Sequence, residues 1–454
     1  MDGRDKPGHD GMSKNFAGAK NPQNLQLAVA AVTPPRVPAF FAARARFFYG
    51  WAVLACLCFA GFSRQGPAVS TLSVFVTPLI HDFGWSRTAL SGAVSLGGIL
   101  AAIVSPMIGP FLDRAGSRLL LCAAILTTGV ALVLLSLTNS LVMFYLLFCF
   151  ARMNWASPFE LGIYGAVNNW FVARRRFATS VATLAQMAGL VTMPLIAQLA
   201  MLRYSWRAGW LAIGVLTLVV GFLPTWLLLV RRPEDVGLHP DGIARDTVAA
   251  NRAVATTTEP EPAFSPAQAI RTPAFWLLLS YTVLVYPIQA GISLHMAPHL
   301  SEHGIAPAIV ATIVSTYSLM SAAGSLTCGF LPRRLPVRYP MAVAGACLMA
   351  SPLLMKGIAS PGEAYFAAAL FGFGVGGILT LLPIAWADYF GRASFGAIRG
   401  VALSAQVMAQ AVGPLISGVL RDWTGSYQMS LTVFAALGGI SVVAALGANR
   451  PRAV

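Results

Sequence analysis

From residue 48 onward the chain alternates between long apolar runs and short polar loops. A bilayer core of roughly 30 Å is crossed by about 20 apolar residues in a helix. Runs of that order occupy 48–76, 88–110, 119–138, 141–167, 177–200, 207–230, 273–296, 308–331, 340–358, 364–387, 398–420 and 428–447. The pattern predicts an all-α membrane protein with twelve transmembrane helices. Several runs contain proline or glycine, which membrane helices tolerate where neighbours satisfy the freed backbone groups. Trp51, Trp170, Trp206, Trp210, Trp386 and Trp423 fall near predicted ends, as an interfacial aromatic belt would place them.

Composition supports lipid as the second solvent: 57% of residues are hydrophobic and 10% charged, against about 25% charged in ordinary soluble domains. The net charge of +15 would suggest nucleic acid in a soluble protein. Here the charges sort by loop. With a cytoplasmic N-terminus, one side receives the tail, Arg114 and Arg118, Arg174 to Arg176, Arg231, Arg232, Arg271, Arg333, Arg334, Arg338, Arg392, Arg399 and the C-terminal arginines. The other receives Arg87, Arg203, Arg207, Lys356 and Arg421. That asymmetry places both termini inside and makes membrane lipid, with no nucleic acid, the neighbour of the basic face. Residues 1–46 read as a disordered cytoplasmic tail, 231–272 as a polar cytoplasmic linker and 448–454 as a second tail. The apolar stretch Leu25–Val32 is too short to span and resembles no signal peptide. Six cysteines, Cys56, Cys58, Cys122, Cys149, Cys328 and Cys347, lie in apolar runs and read as reduced packing residues.

A shift of 220 residues brings the halves into register. Pro67 meets Pro287, Pro78 meets Pro298, Gly84 meets Gly304, Gly109 meets Gly329, Arg114 meets Arg334, Arg118 meets Arg338 and Gln186 meets Gln406. Pro194-Leu195-Ile196 also meets Pro414-Leu415-Ile416. Apolar coincidences are common between membrane helices; coincidences at Pro, Gly, Gln and Arg in one ungapped register are not. Residues 47–230 and 273–447 are therefore expected to form two parallel, pseudo-symmetric six-helix bundles, with a solute site between them near the midplane.

The loop Gly109-Pro110-Phe111-Leu112-Asp113-Arg114-Ala115-Gly116-Ser117-Arg118 resembles the signature loop of the major facilitator superfamily. The resemblance implies that superfamily's fold and a charge network at a cytoplasmic gate; the plainer reading is that Arg114 and Arg118 only anchor the loop. The second copy, with Arg334 and Arg338, carries Arg333 where the first carries Asp113 and so lacks its acid. Phe83-Gly84-Trp85-Ser86-Arg87, Trp170-Phe171 with Arg174 to Arg176, the stretch Pro233 to Gly242, and Arg271-Thr272-Pro273-Ala274-Phe275-Trp276 are similar to the bacterial monocarboxylate transporter-like and oxalate:formate antiporter-like carriers. Tyr389-Phe390-Gly391-Arg392 and the stretch Gly413 to Tyr427 are similar too. That branch implies transport of small carboxylates across the bacterial inner membrane, proton-driven or by exchange, with a monomer as the usual form. Met193-Pro194 replaces the Gly-Pro of the antiporter type, so the motif does not support exchange.

Ionised residues inside spans cost on the order of 2.5–3.5 kcal/mol each by insertion scales and usually face a cavity. Arg64 in span one and Arg152 and Glu160 in span four are such residues. Arg64, followed by Gln65-Gly66-Pro67, is read as a carboxylate anchor, because a guanidinium forks onto a carboxylate; the alternative is an arginine snorkelling outward. Arg152 is read as a second anion contact or counter-ion and Glu160 as the proton-coupling acid, the two lying about 12 Å apart along one helix; the alternative is structural pairing across the bundle. Asn154, Gln186, Tyr286, Gln289, Tyr317 and Gln406 could orient a ligand or form interhelical hydrogen bonds. His295, with His299 and His303 at helical spacing, is read as a wet outer-vestibule cluster with a part in proton coupling rather than a metal site. No nucleotide-binding loop or catalytic cluster occurs, so neither cofactor nor enzymatic activity is expected. The leading expectation is a carrier of a small organic anion, of the proton-coupled kind the resemblance implies. A proton-driven exporter and a non-transporting sensor on the same scaffold are the alternatives. With three charges in the first half and uncharged register partners in the second, the first half is expected to hold the cargo's charge and the second to shape the cavity.

Overall fold

The computed structural model describes residues 36–242, 262–332 and 334–451. Span one is split into Gly50–Ser63 and Val69–Phe83. Span two is Arg87–Ala115 and span three Ser117–Leu135. Span four is split into Leu141–Ala156 and Pro158–Trp170. Span five is Arg175–Arg203; span six runs from Trp206 to Leu228 through a π-helical turn, Thr217–Phe222. Spans seven to twelve are Pro273–Glu302, Pro307–Phe330, Arg338–Lys356, Pro361–Phe390, Phe395–Thr424 and Gln428–Gly447. All twelve expected helices are present.

Local chemistry sets the boundaries. The side chains of Ser86, Ser140, Thr272 and Ser360 each accept a hydrogen bond from the amide three residues on, starting spans two, four, seven and ten. Proline opens spans seven, eight and ten, where its missing N–H costs nothing. The split in span one falls at 64–68, where Pro67 disfavours helical backbone in the residue before it. The split in span four falls at Ser157 (φ −124°, ψ −72°), again just ahead of a proline.

Within the halves, span one packs on five, three on six and two on four; seven packs on eleven, nine on twelve and eight on ten. The second set is the first advanced by six, as the 220-residue register requires. The halves meet where span two lies along eleven and span five along eight. Exposed Met107, Leu199, Phe330 and Val443 give the outer surface an apolar face suited to lipid. The end bearing loops two–three, four–five, six–seven, eight–nine and ten–eleven is called here the basic end.

Three expectations change. Trp170, Trp210 and Trp386 are not interfacial: all three are fully buried. Trp210 stacks on Phe75 at 3.9 Å, and the Trp170 indole donates to the Val230 carbonyl at 3.1 Å. Trp423, at 81% exposure, does face outward. Residues 36–44, read as irregular tail, form a helix. The linker is a tether only by composition, since both its described ends are fastened. Asp241, in left-handed backbone (φ 60°), accepts hydrogen bonds from the amides of Val172, Ala173 and Arg174. Glu234 pairs with Arg392 at 2.9 Å, and the Phe264 amide donates to the Phe390 carbonyl. The remainder of the expected tail (1–35), the linker centre (243–261), Arg333 and residues 452–454 lie outside the described residues.

Candidate functional site

The two breaks in spans one and four create the site. Arg64 ends the first segment of span one, and Glu160 stands in the first turn of the second segment of span four. A helix start favours an anionic side chain. Glu160 Oε2 lies 2.6 Å from Arg64 Nη1 and Oε1 lies 3.5 Å from Arg399 Nη2. Arg64 also donates through Nε to the Trp155 carbonyl at 2.7 Å and through Nη1 to Gln186 Oε1. Arg399 donates to Gln406 Oε1 at 2.6 Å. The repeat-related glutamines thus each receive one of the two arginines that converge on Glu160. All three charged groups are buried, Arg399 at 1% exposure. Removing one member of a buried ion cluster typically costs about 3–5 kcal/mol.

This cluster forms one wall of a cavity of about 680 Å³ between the halves, lined by Arg64, Glu160, Trp155, Tyr164, Gln186 and Gln406 among others. Tyr286, Gln289 and Tyr317 line it from spans seven and eight. Gln65 lines it too, accepting from the Trp155 indole at 3.1 Å. Of the sequence-predicted residues the structure therefore gathers Arg64, Gln65, Glu160, Gln186, Tyr286, Gln289, Tyr317 and Gln406.

Arg152, Asn154 and His295 are not among the cavity's lining residues. The Ser157 break separates Arg152 from the segment carrying Glu160. Its guanidinium instead lies over the Trp155 ring at 3.8 Å, with Nε and Nη1 buried and without a hydrogen-bond partner among the described residues. Asn154 donates to Thr127 and Thr128, each at 3.1 Å, and clamps span four to span three. His295 sits between the Tyr427 hydroxyl and the Pro414 carbonyl. Its neighbour His299 is buried against the Met355 carbonyl, in a packed seam and not the expected wet vestibule, while His303 is exposed. Gly66, two residues beyond Arg64, packs on Leu132 and Thr217.

Sequence reasoning missed Arg399. In the sequence it counts among the loop arginines because it falls at the very start of a predicted span. Span eleven begins at Phe395, which carries Arg399 one turn into the helix and onto Glu160. The expectation that the second half contributes no charge is corrected accordingly.

At the basic end, Asp113 accepts hydrogen bonds from the amides of Gly396 and Ala397, each at 2.8 Å, at the start of span eleven. Gly109 allows the approach: a Cβ there would lie 2.2 Å from the Gly396 carbonyl oxygen. Across the pseudo-axis, Gly329 packs on Ser180. There Arg176 donates to the carbonyls of Pro332 and Leu335 at 2.7 and 2.6 Å. Arg175 pairs with Asp388 at 2.6 Å. Gly116 (φ 85°) lies under the Arg231 side chain. Arg118 donates to the Trp226 carbonyl and Arg338 to the Tyr339 hydroxyl, both within their own halves. Arg114 and Arg334 are exposed, which suits the anchoring reading for those two.

Comparison with known proteins accords with this geometry. The chain matches the family model described as Major Facilitator Superfamily over residues 53–299 and 279–453. It is 27% identical to the membrane sensor protein UhpC of Escherichia coli strain K12 over 355 residues, which is 75% of this chain and 79% of that one. It is 23% identical to monocarboxylate transporter 11 of Homo sapiens over 402 residues, 86% of this chain and 80% of that one. Among solved structures, the human organic anion transporter MFSD10 superimposes with a TM-score of 0.69 at 15% identity, over 87% of this chain and 99% of that one. The proton:xylose symporter XylE gives 0.66 at 14% identity, over 87% and 94%.

Proposed function

The chain belongs to the Major Facilitator Superfamily, and on that premise we propose that it is a secondary active transporter of a small organic anion, a carboxylate, coupled to protons. The observation that carries the reading is Glu160 held between Arg64 and Arg399 at the cavity wall. While Glu160 is ionised, it occupies the guanidinium that a substrate carboxylate would need. Protonation neutralises it and releases Arg64, whose planar fork then suits an incoming carboxylate. Proton and anion therefore enter together, as coupled transport requires.

Alternating access would turn on the bonds between the halves. The hydrogen bonds between halves at Asp113, Arg176, Ser180 and Ser404 lie at and above the basic end, closing it beneath the cavity. Rocking of one half on the other would break these bonds and expose the cavity to that side. The basic end is proposed to be cytoplasmic and the membrane the bacterial inner membrane, with the tail, linker and two halves divided as the sequence suggests.

Uptake of labelled acetate, lactate and oxalate into proteoliposomes, with and without an inward proton gradient, tests the proposal. At least one acid is expected to accumulate only with the gradient. Arg64→Lys is expected to lower uptake about tenfold or more, because an ammonium cannot reproduce the fork. Glu160→Gln is expected to abolish gradient-driven accumulation; unchanged accumulation would remove its coupling role. The similarity to UhpC supplies a second reading, ligand sensing. Saturable binding of these acids without uptake would favour it.

A further inference from the structure

At the basic end, the short helix Arg36–Arg44 carries its side chains inside out. Pro38 and Ala42, with Ala45 just past the helix end, share one face and turn toward the protein. Val37, Phe40 and Phe41 share the other and are exposed, Phe40 by more than half of its surface. Phe47, in the stretch that leads into span one, is exposed likewise. Packing against the protein alone would put the phenylalanines in and the alanines out. The helix rests on Leu223–Leu228, the last turns of span six, and on Pro233–Val236 beyond it. Trp226 and Leu227 are exposed at that level, and the Arg118 guanidinium lies over the Trp226 ring at 5.0 Å, the pairing of aromatic and cation that marks a bilayer boundary. The charge of the segment has one sign: residues 36–47 hold three arginines and no acid, and Arg44 and Arg46 are exposed. The Arg44 guanidinium lies over the Phe40 ring at 3.7 Å, so cation and apolar ring are presented side by side.

We propose that this helix and Phe47 form an interfacial foot: Val37, Phe40, Phe41 and Phe47 sink to the boundary between headgroups and acyl chains, and Arg44 and Arg46 bind anionic lipid headgroups. An apolar face flanked by cations is what that boundary retains. A cluster of exposed phenylalanines calls for a covering partner, and beside the outer flank of span six these side chains continue the surface that already faces lipid. Each arginine near an anionic surface contributes about fivefold in affinity. The foot therefore distinguishes an anionic leaflet from a neutral one. The proposal concerns the lipid partner and stands whatever the cargo is.

Hydrogen exchange of the full-length protein in lipid nanodiscs tests it, read on the peptide from Arg36 to Phe47. Discs of phosphatidylcholine alone would be compared with discs of equal parts phosphatidylcholine and phosphatidylglycerol. Exchange is expected to be about tenfold or more slower in the anionic discs. Arg44→Gln combined with Arg46→Gln should remove that difference, at about fivefold for each arginine, and leave exchange in neutral discs as it was. Phe40→Ser combined with Phe41→Ser should raise exchange in both lipids. These side chains are exposed, so span ten, Pro361–Phe390, should keep its protection in every variant and report that the fold is intact. A photoreactive benzoylphenylalanine in place of Phe41 should form adducts with lipid. Equal exchange of the unmodified protein in the two lipids would overturn the proposal, as would a lipid difference that survives the paired arginine variant. Adducts with a protein, whether a second copy or another chain, would overturn it too, by giving the face a different occupant.

Discussion

The two pseudo-equivalent seams at the basic end are closed by opposite chemistry. On one, an acid in the last turn of span two caps the start of span eleven: Asp113 takes the amides of Gly396 and Ala397. On the other, an arginine at the start of span five reaches into the loop after span eight and gives its protons to the carbonyls of Pro332 and Leu335. Residues 396 and 176 are partners in the 220-residue register, so the same joint is held once by an anion at a helix end on helix amides and once by a helix cation on loop carbonyls. A duplicated gate need not preserve its charges. It must preserve a close glycine approach, here Gly109 and Gly329, and a strong bond across it.

The largest effect is expected from Gly109→Val. Its first side-chain carbon would already meet the Gly396 carbonyl at 2.2 Å, and backbone cannot swing aside as a flexible side chain can. Spans two and eleven would be forced apart at that level. Hydrogen exchange of the peptide spanning Phe395 to Leu403 should lose most of its protection, and uptake should fall below about a tenth of normal. Arg176→Gln comes next. Losing charge-assisted bonds to two carbonyls is expected to shift the closed-to-open balance by about 2 kcal/mol, roughly thirtyfold. Faster exchange around Leu331 to Leu335 would report it. Asp113→Asn should act on the first seam alone and more weakly, by about 1 kcal/mol or fivefold, since one amide-accepting oxygen survives. Exchange at Gly396 and Ala397 should rise while the second seam stays unchanged. An effect of equal size on both seams would show that they open as one unit and dissolve the comparison. Smallest of all, Arg114→Ala and Arg334→Ala should each alter the balance by less than about 0.5 kcal/mol, because both side chains are exposed.

The fold was largely legible because a bilayer demands runs of fixed length, and because Pro, Gly, Gln and Arg repeat in one register. Arg64, Glu160, Gln186 and Gln406 were legible for a related reason: polar groups are conspicuous inside apolar runs. Arg399 was hidden by the same rule. A cation at the edge of a run looks like a topology anchor, and only the true start of span eleven at Phe395 moves it inside. Arg152 shows the converse, a conspicuous charge turned onto Trp155 and away from the cavity by a helix break at Ser157. Proline in a membrane span marks a place where a break is tolerated, without saying whether one occurs.

The cluster around Glu160 has an electrical consequence. Two guanidiniums and one carboxylate leave the empty site with one positive charge. In the proposed cycle a monoanion arriving with its proton adds nothing to that sum, so the loaded and empty reorientations move the same charge in opposite senses. A voltage across the membrane then helps one step by as much as it hinders the other, and net turnover carries no current. A monoanion crossing without its proton moves one net charge per cycle; in Glu160→Gln the empty site holds two positive charges and the loaded site one. A potential of 100 mV acting on one charge over the full membrane is worth about 2.3 kcal/mol. Current recorded from Glu160→Gln proteoliposomes under a substrate gradient, against silence from the unmodified protein, would register that difference as a sign and a magnitude.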